Sequence, residues 1–264
     1  MKNTLILIAL VLAFAAYAGG TSCDYNYMGD AYQAFYQTSE TILPMAPIYF
    51  SDDFFGSDVV IPAFGSPESG CEWVKKGVGT GTVVKLGDAD GGWAECYLAN
   101  TSTTSEASAC FNDERNFTVG HNLVIEFWLK FSVLPNASNV IGWAGLQGDW
   151  AAQYTSPYRI GVYANGSGLL YVGCDDNVTD NFVTSGITVV ADQWVNVRID
   201  CGTAAKLKFY LNGKRVAAST TFAYAATGTN LTLQPSFGVE KSTAAAGVGT
   251  LDVDVVRIWQ GRVR

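Results

Sequence analysis

The sequence predicts an all-β protein, a two-sheet antiparallel jelly-roll sandwich with an N-terminal extension. Eight segments of five or more strand-forming residues lie between turn formers, and several of them alternate apolar with polar positions. The 264 residues include 28 glycines, 13 tyrosines and 14 phenylalanines, a composition typical of short strands and tight turns. With 48% hydrophobic and 15% charged residues, the chain can bury one large core.

The predicted strands are 124–133, 139–147, 158–166, 168–174, 193–201, 206–217, 233–241 and 250–260. Within 206–217, the Asn212-Gly213 pair predicts a tight hairpin, because both positions tolerate a positive φ. No convincing helix follows the leader. Successive strands joined by hairpins imply two antiparallel sheets that pack face to face.

Residues 51–264 resemble the concanavalin A-like lectin/glucanase superfamily, including laminin G-like domains. The similarity lies in the order of the segments VIEFWLKF, DQWVNVRID, KLKFYLNGKRVA, LQPSFGVEK and LDVDVVRIWQ. The chain also resembles proteins encoded by phages and prophages, through SDDFFGSD, FNDERNF and GVGTLDVDVVRIWQ. The resemblance implies a jelly roll, but a shared fold does not by itself imply a shared function.

The closing segment LDVDVVRIWQ carries a pair of carboxylates. The superfamily's glycoside hydrolases have the string E-x-D-x-x-E on one strand, and Asp252-Val253-Asp254 is the nearest string in this chain. Arg257 stands where the general acid would be, and an arginine cannot give up a proton at neutral pH. The segment also matches the closing strand of the superfamily, not its catalytic strand. We therefore expect Asp252 and Asp254 to face solvent or pair with Arg257, and the chain not to be an enzyme.

A sugar-binding surface is predicted around the segment GWAGLQGDW and the following QYTSPY. Aromatic faces with nearby hydrogen-bonding groups suit sugar rings, which present apolar C–H faces and hydroxyl edges. The candidates are Trp143, Trp150, Tyr154 and Tyr158, with Asp149 and Gln147 as polar partners. Trp150 lies in a predicted loop and is the stronger candidate, whereas Trp143 lies on a strand and is the better candidate for a core residue.

An oxygen-rich turn, CDDNVTDN, offers the ligand type that Ca²⁺ prefers. Its candidate ligands are Asp175, Asp176, Asn177, Asp180 and Asn181. The alternative is a plain polar turn, because six or more oxygens must converge on a calcium ion. A zinc site is not expected, since the chain has one histidine and no paired C-x-x-C spacing.

The N-terminus indicates export. Residues 1–18 form a hydrophobic leader of the signal-peptide type, and residues 19–50 form a tyrosine-rich arm before the sandwich domain at 51–264. In an exported protein, cysteines are expected to form disulfides, and we predict Cys96 with Cys110 across a hairpin and Cys174 with Cys201 on neighbouring strands. The alternative is buried free thiols. Six Asn-x-Ser/Thr sequons suit glycosylation in a eukaryotic host: Asn100, Asn116, Asn136, Asn165, Asn177 and Asn230.

Charge excludes one class of partner. The net charge is −8, and the 16 lysines and arginines are scattered without a basic stripe, so nucleic acid is not expected. The expected location is extracellular, and the favoured role is a structural, decoration or adhesion module on a virion surface, with some glycan contact. The alternative is a secreted or cell-surface carbohydrate-binding protein, and a glycoside hydrolase is less favoured. The arm could pack on its own domain, mediate self-association or dock on neighbouring virion proteins.

Overall fold

The computed structural model describes residues 48–52, 54, 73–86, 92–149 and 156–261. They form sixteen strands and one short 3-10 helix, Gly228–Leu231. The strands are β1 (Ile48–Asp52), β2 (Val74–Val78), β3 (Gly81–Leu86), β4 (Trp93–Leu98), β5 (Ser105–Cys110), β6 (Phe117–Thr118), β7 (Val124–Val133), β8 (Val140–Gln147), β9 (Tyr158–Asn165), β10 (Leu169–Asp176), β11 (Asp180–Thr188), β12 (Val195–Asp200), β13 (Lys208–Leu211), β14 (Lys214–Val216), β15 (Thr232–Lys241) and β16 (Gly249–Gln260).

Two antiparallel sheets of eight strands each pack into a sandwich. Sheet A has the order β14-β13-β12-β7-β16-β4-β3, with β1 paired to the far half of β16. Sheet B has the order β11-β10-β9-β8-β15-β5-β2, with β6 paired to the start of β15. The prediction of an all-β, two-sheet jelly roll is confirmed.

The core lies between the inner faces of the two sheets. On β7 of sheet A, every second residue is buried in it: Ile125, Phe127, Leu129 and Phe131. On β8 of sheet B, Ala144 and Leu146 point inward in the same alternating way. Each large apolar side chain buried in this layer contributes roughly 1.5 to 3 kcal/mol to folding. The side chains that alternate with these buried ones point away from the core and form the two outer faces of the sandwich.

The first strand, β1, pairs with the last strand, β16. Ile48 of β1 pairs with Gln260, and Asp52 pairs with Val256. Residues 48–50, which the sequence assigned to the arm, therefore belong to the sandwich. The leader and residues 19–47 lie outside the described residues. Within the described part of the chain, no helix is long and apolar enough to cross a membrane.

The predicted disulfides are wrong, because all four described cysteines are buried free thiols. Cys96 lies on β4 of sheet A and Cys110 on β5 of sheet B, so the chain changes sheet between them and makes no hairpin. Cys174 lies on β10 of sheet B, and Cys201 follows β12 of sheet A, so these two do not lie on neighbouring strands. Burial raises the pKa of the Cys110 and Cys174 thiols to about 12.

Candidate functional site

Trp143, one of the predicted sugar-binding residues, lies on the outer face of sheet B. It is only 2% exposed, and its indole Nε1 donates a hydrogen bond to Ser236 Oγ at 3.1 Å. The ring lies against Gly161, where an added Cβ would come within 2.7 Å of Trp143 Cη2. Trp143 is therefore buried, as the sequence suggested. It packs against Gly161 on the outer face of sheet B, not in the core between the sheets.

Gln147 lies on the same face at the end of β8. It is opposite Arg159 on β9, which forms ion pairs with Asp175 at 3.5 Å and Asp180 at 3.6 Å. The Gln147 side chain is completely buried, and neither its oxygen nor its nitrogen has a hydrogen-bond partner among the described residues. Trp143 and Gln147 lie on the same face of β8, but neither side chain is exposed to solvent.

The other predicted sugar-binding residues are placed differently. Asp149 is exposed and forms an ion pair with Arg115, whose Nε donates to Asp149 Oδ1 at 2.6 Å. Tyr158 is half-buried at the start of β9. Trp150 and Tyr154 lie outside the described residues. A sugar-binding role for this group remains a prediction.

The predicted calcium turn joins β10 to β11, and its side chains bind protein groups. Asp176 accepts three backbone N–H bonds, from Val178, Thr179 and Ala225. Burial acts to raise the pKa of Asp176, but these hydrogen bonds outweigh it and the pKa is lowered. Asn181 Nδ2 donates to the Thr221 carbonyl, while the Asp175 and Asp180 carboxylates face Arg159, and Asn177 has a φ of 69°. In the described part of the chain, no group of three or more His, Cys, Asp or Glu side chains could hold a metal ion.

The outer face of sheet A carries a pair of carboxylates that the sequence did not reveal. Asp252 on β16 lies directly opposite Glu95 on β4 and, on its other side, opposite Lys130 on β7. Side chains directly opposite each other in an antiparallel pair share a face, with Cβ atoms roughly 4.5 to 5.5 Å apart. Lys130 Nζ is 3.5 Å from Asp252 Oδ2.

The expectation that Asp252 faces solvent or pairs with Arg257 is therefore wrong. Asp252 is only 1% exposed, and its ion pair is with Lys130. Arg257 lies opposite Glu126, in a different row of the sheet. A bulge between Val253 and Val255 brings residues 252 and 257 onto the same face, but about 17 Å apart along the strand.

The environment of the two carboxyls favours proton exchange. Burial raises the pKa of Asp252 to about 6, against the opposing charge of Lys130, and the Glu95 charge adds to the rise. Burial also raises the pKa of Glu95, and Lys130 again opposes the change. Two carboxyls whose pKa values are raised, side by side, are suited to general acid–base chemistry.

Aromatic side chains lie on the same face as this pair. Trp93 and Trp194 meet edge to face with ring centroids 6.2 Å apart, and Lys130 Nζ lies 4.6 Å and 5.1 Å from their centroids. Tyr97 and Trp128 are 41% and 38% exposed. We call this group the aromatic–carboxylate cluster: Trp93, Glu95, Tyr97, Trp128, Lys130, Trp194 and Asp252.

The cluster escaped sequence reasoning because its members come from four separate stretches of chain. The sequence did contain one signal, which is the period-2 alternation of these residues within their strands. Trp93, Glu95 and Tyr97 occupy every second position of β4, and Trp128 and Lys130 do so on β7. Alternation places such side chains on one face but does not say which strands become neighbours.

Three arginines lie in a second row of the same face. Arg215, Tyr210, Arg198, Glu126 and Arg257 are successive cross-strand partners on β14, β13, β12, β7 and β16. We call this the arginine row. The expectation of no basic stripe is thus wrong, since pairing of distant strands gathers residues that look scattered along the sequence.

Comparison with known proteins identifies the fold. A family model described as concanavalin A-like lectin/glucanases superfamily (Laminin_G_3) matches residues 102–263. Comparison with curated proteins finds no match.

Solved structures with a similar shape have low sequence identity. A protein of unknown function from Shewanella oneidensis MR-1 has 15% identity, a TM-score of 0.56 and coverage of 83% of this chain and 90% of that one. A β-1,3-glucanase from Mycobacterium marinum has 16% identity, a TM-score of 0.53 and coverage of 80% and 97%. A structure described with endo-acting O-glycanases of the human gut microbiota has 11% identity, a TM-score of 0.52 and coverage of 80% and 98%.

These neighbours overturn the prediction that the chain is not an enzyme. That prediction took the absence of E-x-D-x-x-E as decisive, yet solved proteins of this shape include a β-1,3-glucanase and a structure described with O-glycanases. The resemblance to phage proteins is not shown by these comparisons.

Proposed function

The chain belongs to the concanavalin A-like lectin/glucanases superfamily, and from that membership we propose that it is a carbohydrate-active enzyme. In this proposal a glycan binds across the outer face of sheet A, and a glycosidic bond is hydrolysed at the aromatic–carboxylate cluster. The observation that carries the proposal is the direct opposition of Glu95 and Asp252, with the tryptophan pair Trp93 and Trp194 at the neighbouring Lys130.

The spacing of the two carboxyls favours a retaining mechanism. Retaining glycosidases place their carboxyls about 5 to 5.5 Å apart, whereas inverting enzymes need roughly 6.5 to 9.5 Å to admit a water. Directly opposed residues with Cβ atoms about 5 Å apart fit the first class better. Because burial raises the pKa of Asp252 to about 6, we assign it as general acid, and its partner Glu95 as nucleophile.

Hydrolysis would proceed in two steps. In the first, Asp252 gives its proton to the glycosidic oxygen as that bond breaks, and a Glu95 carboxylate oxygen bonds to the anomeric carbon. In the second, Asp252 takes a proton from water, whose oxygen displaces Glu95 from the anomeric carbon. The products are the released alcohol and the free sugar end, and both carboxyls return to their starting states. Lys130 covers Asp252 and must move aside when the sugar enters.

Sugar binding would rest on Trp128 and Tyr97, whose rings are the exposed members of the cluster. Aromatic rings stack on the C–H faces of sugars. Carboxylates and an ammonium beside them supply acceptors and donors for hydroxyl groups.

The test is reducing-end release from soluble laminarin and from mucin O-glycopeptides at about pH 5, with Glu95→Gln and Asp252→Asn compared with the wild type. We expect release by the wild type and loss of roughly a hundredfold or more in each variant. The matched control is Asp180→Asn, which removes a carboxylate from the outer face of sheet B. No release by the wild type from either glycan, or equal release by Glu95→Gln, would overturn the assignment.

We also propose that the protein works outside the cell, either secreted or on a virion surface. The signal-type leader at 1–18 supports export, and the tyrosine-rich arm, now residues 19–47, suits docking on neighbouring virion proteins or self-association. N-terminal sequencing and intact mass of the native protein test this. A start near Gly19 supports secretion, and an intact Met1 in purified particles supports assembly, whereas an intact chain confined to the cytosol contradicts both.

A further inference from the structure

The arginine row extends the surface used by the proposed enzyme. We propose that its glycan is acidic, and that Arg198, Arg257 and Arg215 bind the carboxylate or sulfate groups of a polysaccharide lying along sheet A. This inference rests on the proposed function, because it assigns the substrate class of that same face.

The positions of the three guanidinium groups follow from strand register. Arg198 and Arg257 flank Glu126 on neighbouring strands, so their Cα atoms are about 10 Å apart. Arg215 lies two strands beyond Arg198, with Tyr210 between them. All three arginines are exposed.

The arginine row has an excess of positive charge that no ion pair within the described ranges neutralises. In the described ranges, none of the three arginines has a carboxylate oxygen within 4.0 Å, although Glu126 lies directly opposite two of them. One oxygen of Glu126 accepts a hydrogen bond from Asn196 Nδ2 at 2.7 Å. Three guanidinium groups and one carboxylate leave a local charge near +2, on a chain whose net charge is −8.

Aromatic rings hold the central arginine in place. The Arg198 guanidinium carbon lies 5.9 Å from the ring centroid of Tyr210 and 5.7 Å from that of Trp259. Stacking of this kind restricts the side chain while leaving the planar N–H fork free to bind two oxygens of one anion. Carboxylate and sulfate groups offer that pair of oxygens.

The arginine row is in line with the catalytic pair. Along β7, Glu126, Trp128 and Lys130 alternate on the outer face. The row is therefore about 13 Å from Lys130, with the exposed Trp128 ring halfway. A single polysaccharide chain could contact the arginines, stack on Trp128 and reach Asp252.

Nucleic acid is the less favoured occupant. Its binding relies on many phosphate contacts by clustered Lys and Arg, and a chain with a net charge of −8 repels a polyphosphate beyond the local row. An acidic glycan needs fewer contacts between its charged groups and basic side chains, and the three arginines of the row can supply them.

Calorimetric titration with two matched pairs of probes tests the proposal: polygalacturonate with its methyl ester, and sulfated laminarin with laminarin. The wild type is expected to bind at least one charged probe about tenfold more tightly than its neutral partner. That preference should weaken as NaCl is raised from about 50 to 300 mM. Whichever pair shows the preference identifies uronate or sulfate as the recognised group.

Variants then locate the effect. Arg198→Gln and Arg257→Gln should each reduce the preference, and the triple variant that adds Arg215→Gln should abolish it. Lys206→Gln removes an exposed charge outside the row and should change nothing. Unchanged melting temperatures confirm that the variants fold. Arg198→Lys keeps the charge but loses the planar fork, so it should restore only part of the preference.

Three results would overturn the inference. Equal binding of charged and neutral probes removes the acidic substrate but leaves the proposed hydrolase standing, provided that reducing ends are still released. A preference that survives the triple variant places the anion site elsewhere. Binding of single-stranded oligo-dT as tight as that of the acidic glycans replaces the glycan with nucleic acid.

Discussion

Replacing Asp252 by asparagine should change how the protein's stability depends on pH. Folding raises the pKa of this carboxyl from 3.8 to about 6, with burial as the main cause. The folded chain therefore binds the proton more tightly than the unfolded chain does. Between about pH 4 and pH 6, the wild type should lose stability as the pH rises, because the unfolded chain releases this proton while the folded chain still holds it.

The size of the effect follows from the shift. At 1.36 kcal/mol for each pH unit, a rise of about two units corresponds to at most about 3 kcal/mol. Screening by solvent lowers this, and we expect roughly 1.5 to 3 kcal/mol. Asp252→Asn has no proton to lose at this position, and its Lys130 still lies over the rings of Trp93 and Trp194.

Urea unfolding followed by tryptophan fluorescence at pH 4, 5, 6 and 7 measures the difference. Relative to the wild type, the variant should gain about 1.5 to 3 kcal/mol in unfolding free energy between pH 4 and pH 7. Asp192→Asn, an exposed turn carboxylate, is the matched control and should run parallel to the wild type. Parallel curves for Asp252→Asn, or a loss of relative stability towards pH 7, would refute the argument.

Three further predictions concern packing, binding and the thiols. Trp128→Ala should weaken glycan binding about tenfold without unfolding the protein, because an exposed stacking ring is worth roughly 1 kcal/mol or more, and calorimetry measures it; unchanged affinity would exclude the ring from the site. Gly161→Ala should cost about 2 to 3 kcal/mol, since the new Cβ lies 2.5 Å from the Ala144 carbonyl oxygen, whereas Gly186→Ala has no neighbour within 4 Å and should cost about 1 kcal/mol for its positive φ; equal losses in urea unfolding would contradict this. Iodoacetamide at pH 8 should leave four thiols unmodified in the folded protein, because all four are buried: Cys96, Cys110, Cys174 and Cys201. After unfolding without reductant, all four should be modified, as peptide mass mapping would show. A thiol that stays unmodified after unfolding would indicate a disulfide.

The strands that the sequence predicted best are those with clear alternation. The predicted 124–133 agrees with β7, and Asn212-Gly213 joins β13 to β14 with φ angles of 50° and 74°. Residues 180–188 form β11, which was not predicted as a strand, and its first two residues, Asp180 and Asn181, were assigned to the oxygen-rich turn. An edge strand tolerates such residues, because most of its side chains remain partly or fully exposed.

The candidate site could not be predicted because it is a property of strand order. Asp252 was singled out in the sequence, but Glu95 and Lys130 become its neighbours only when β4 and β7 flank β16. Burial then shifts the pKa of the carboxyl, and no local pattern reports burial on an outer face. The same pairing of distant strands creates the arginine row and places the cysteines that were expected to join in opposite sheets.

The most direct test of the proposed active site is covalent trapping of the nucleophile. An activated fluorinated glycoside of the sugar released in the hydrolysis assay should form a stable ester with the protein, and peptide mass mapping should place it on Glu95. Asp252→Asn should slow the labelling only where the leaving group needs a proton. A label on any residue outside the aromatic–carboxylate cluster, or no label on a protein that releases reducing ends, would contradict the assignment of this face as the active site.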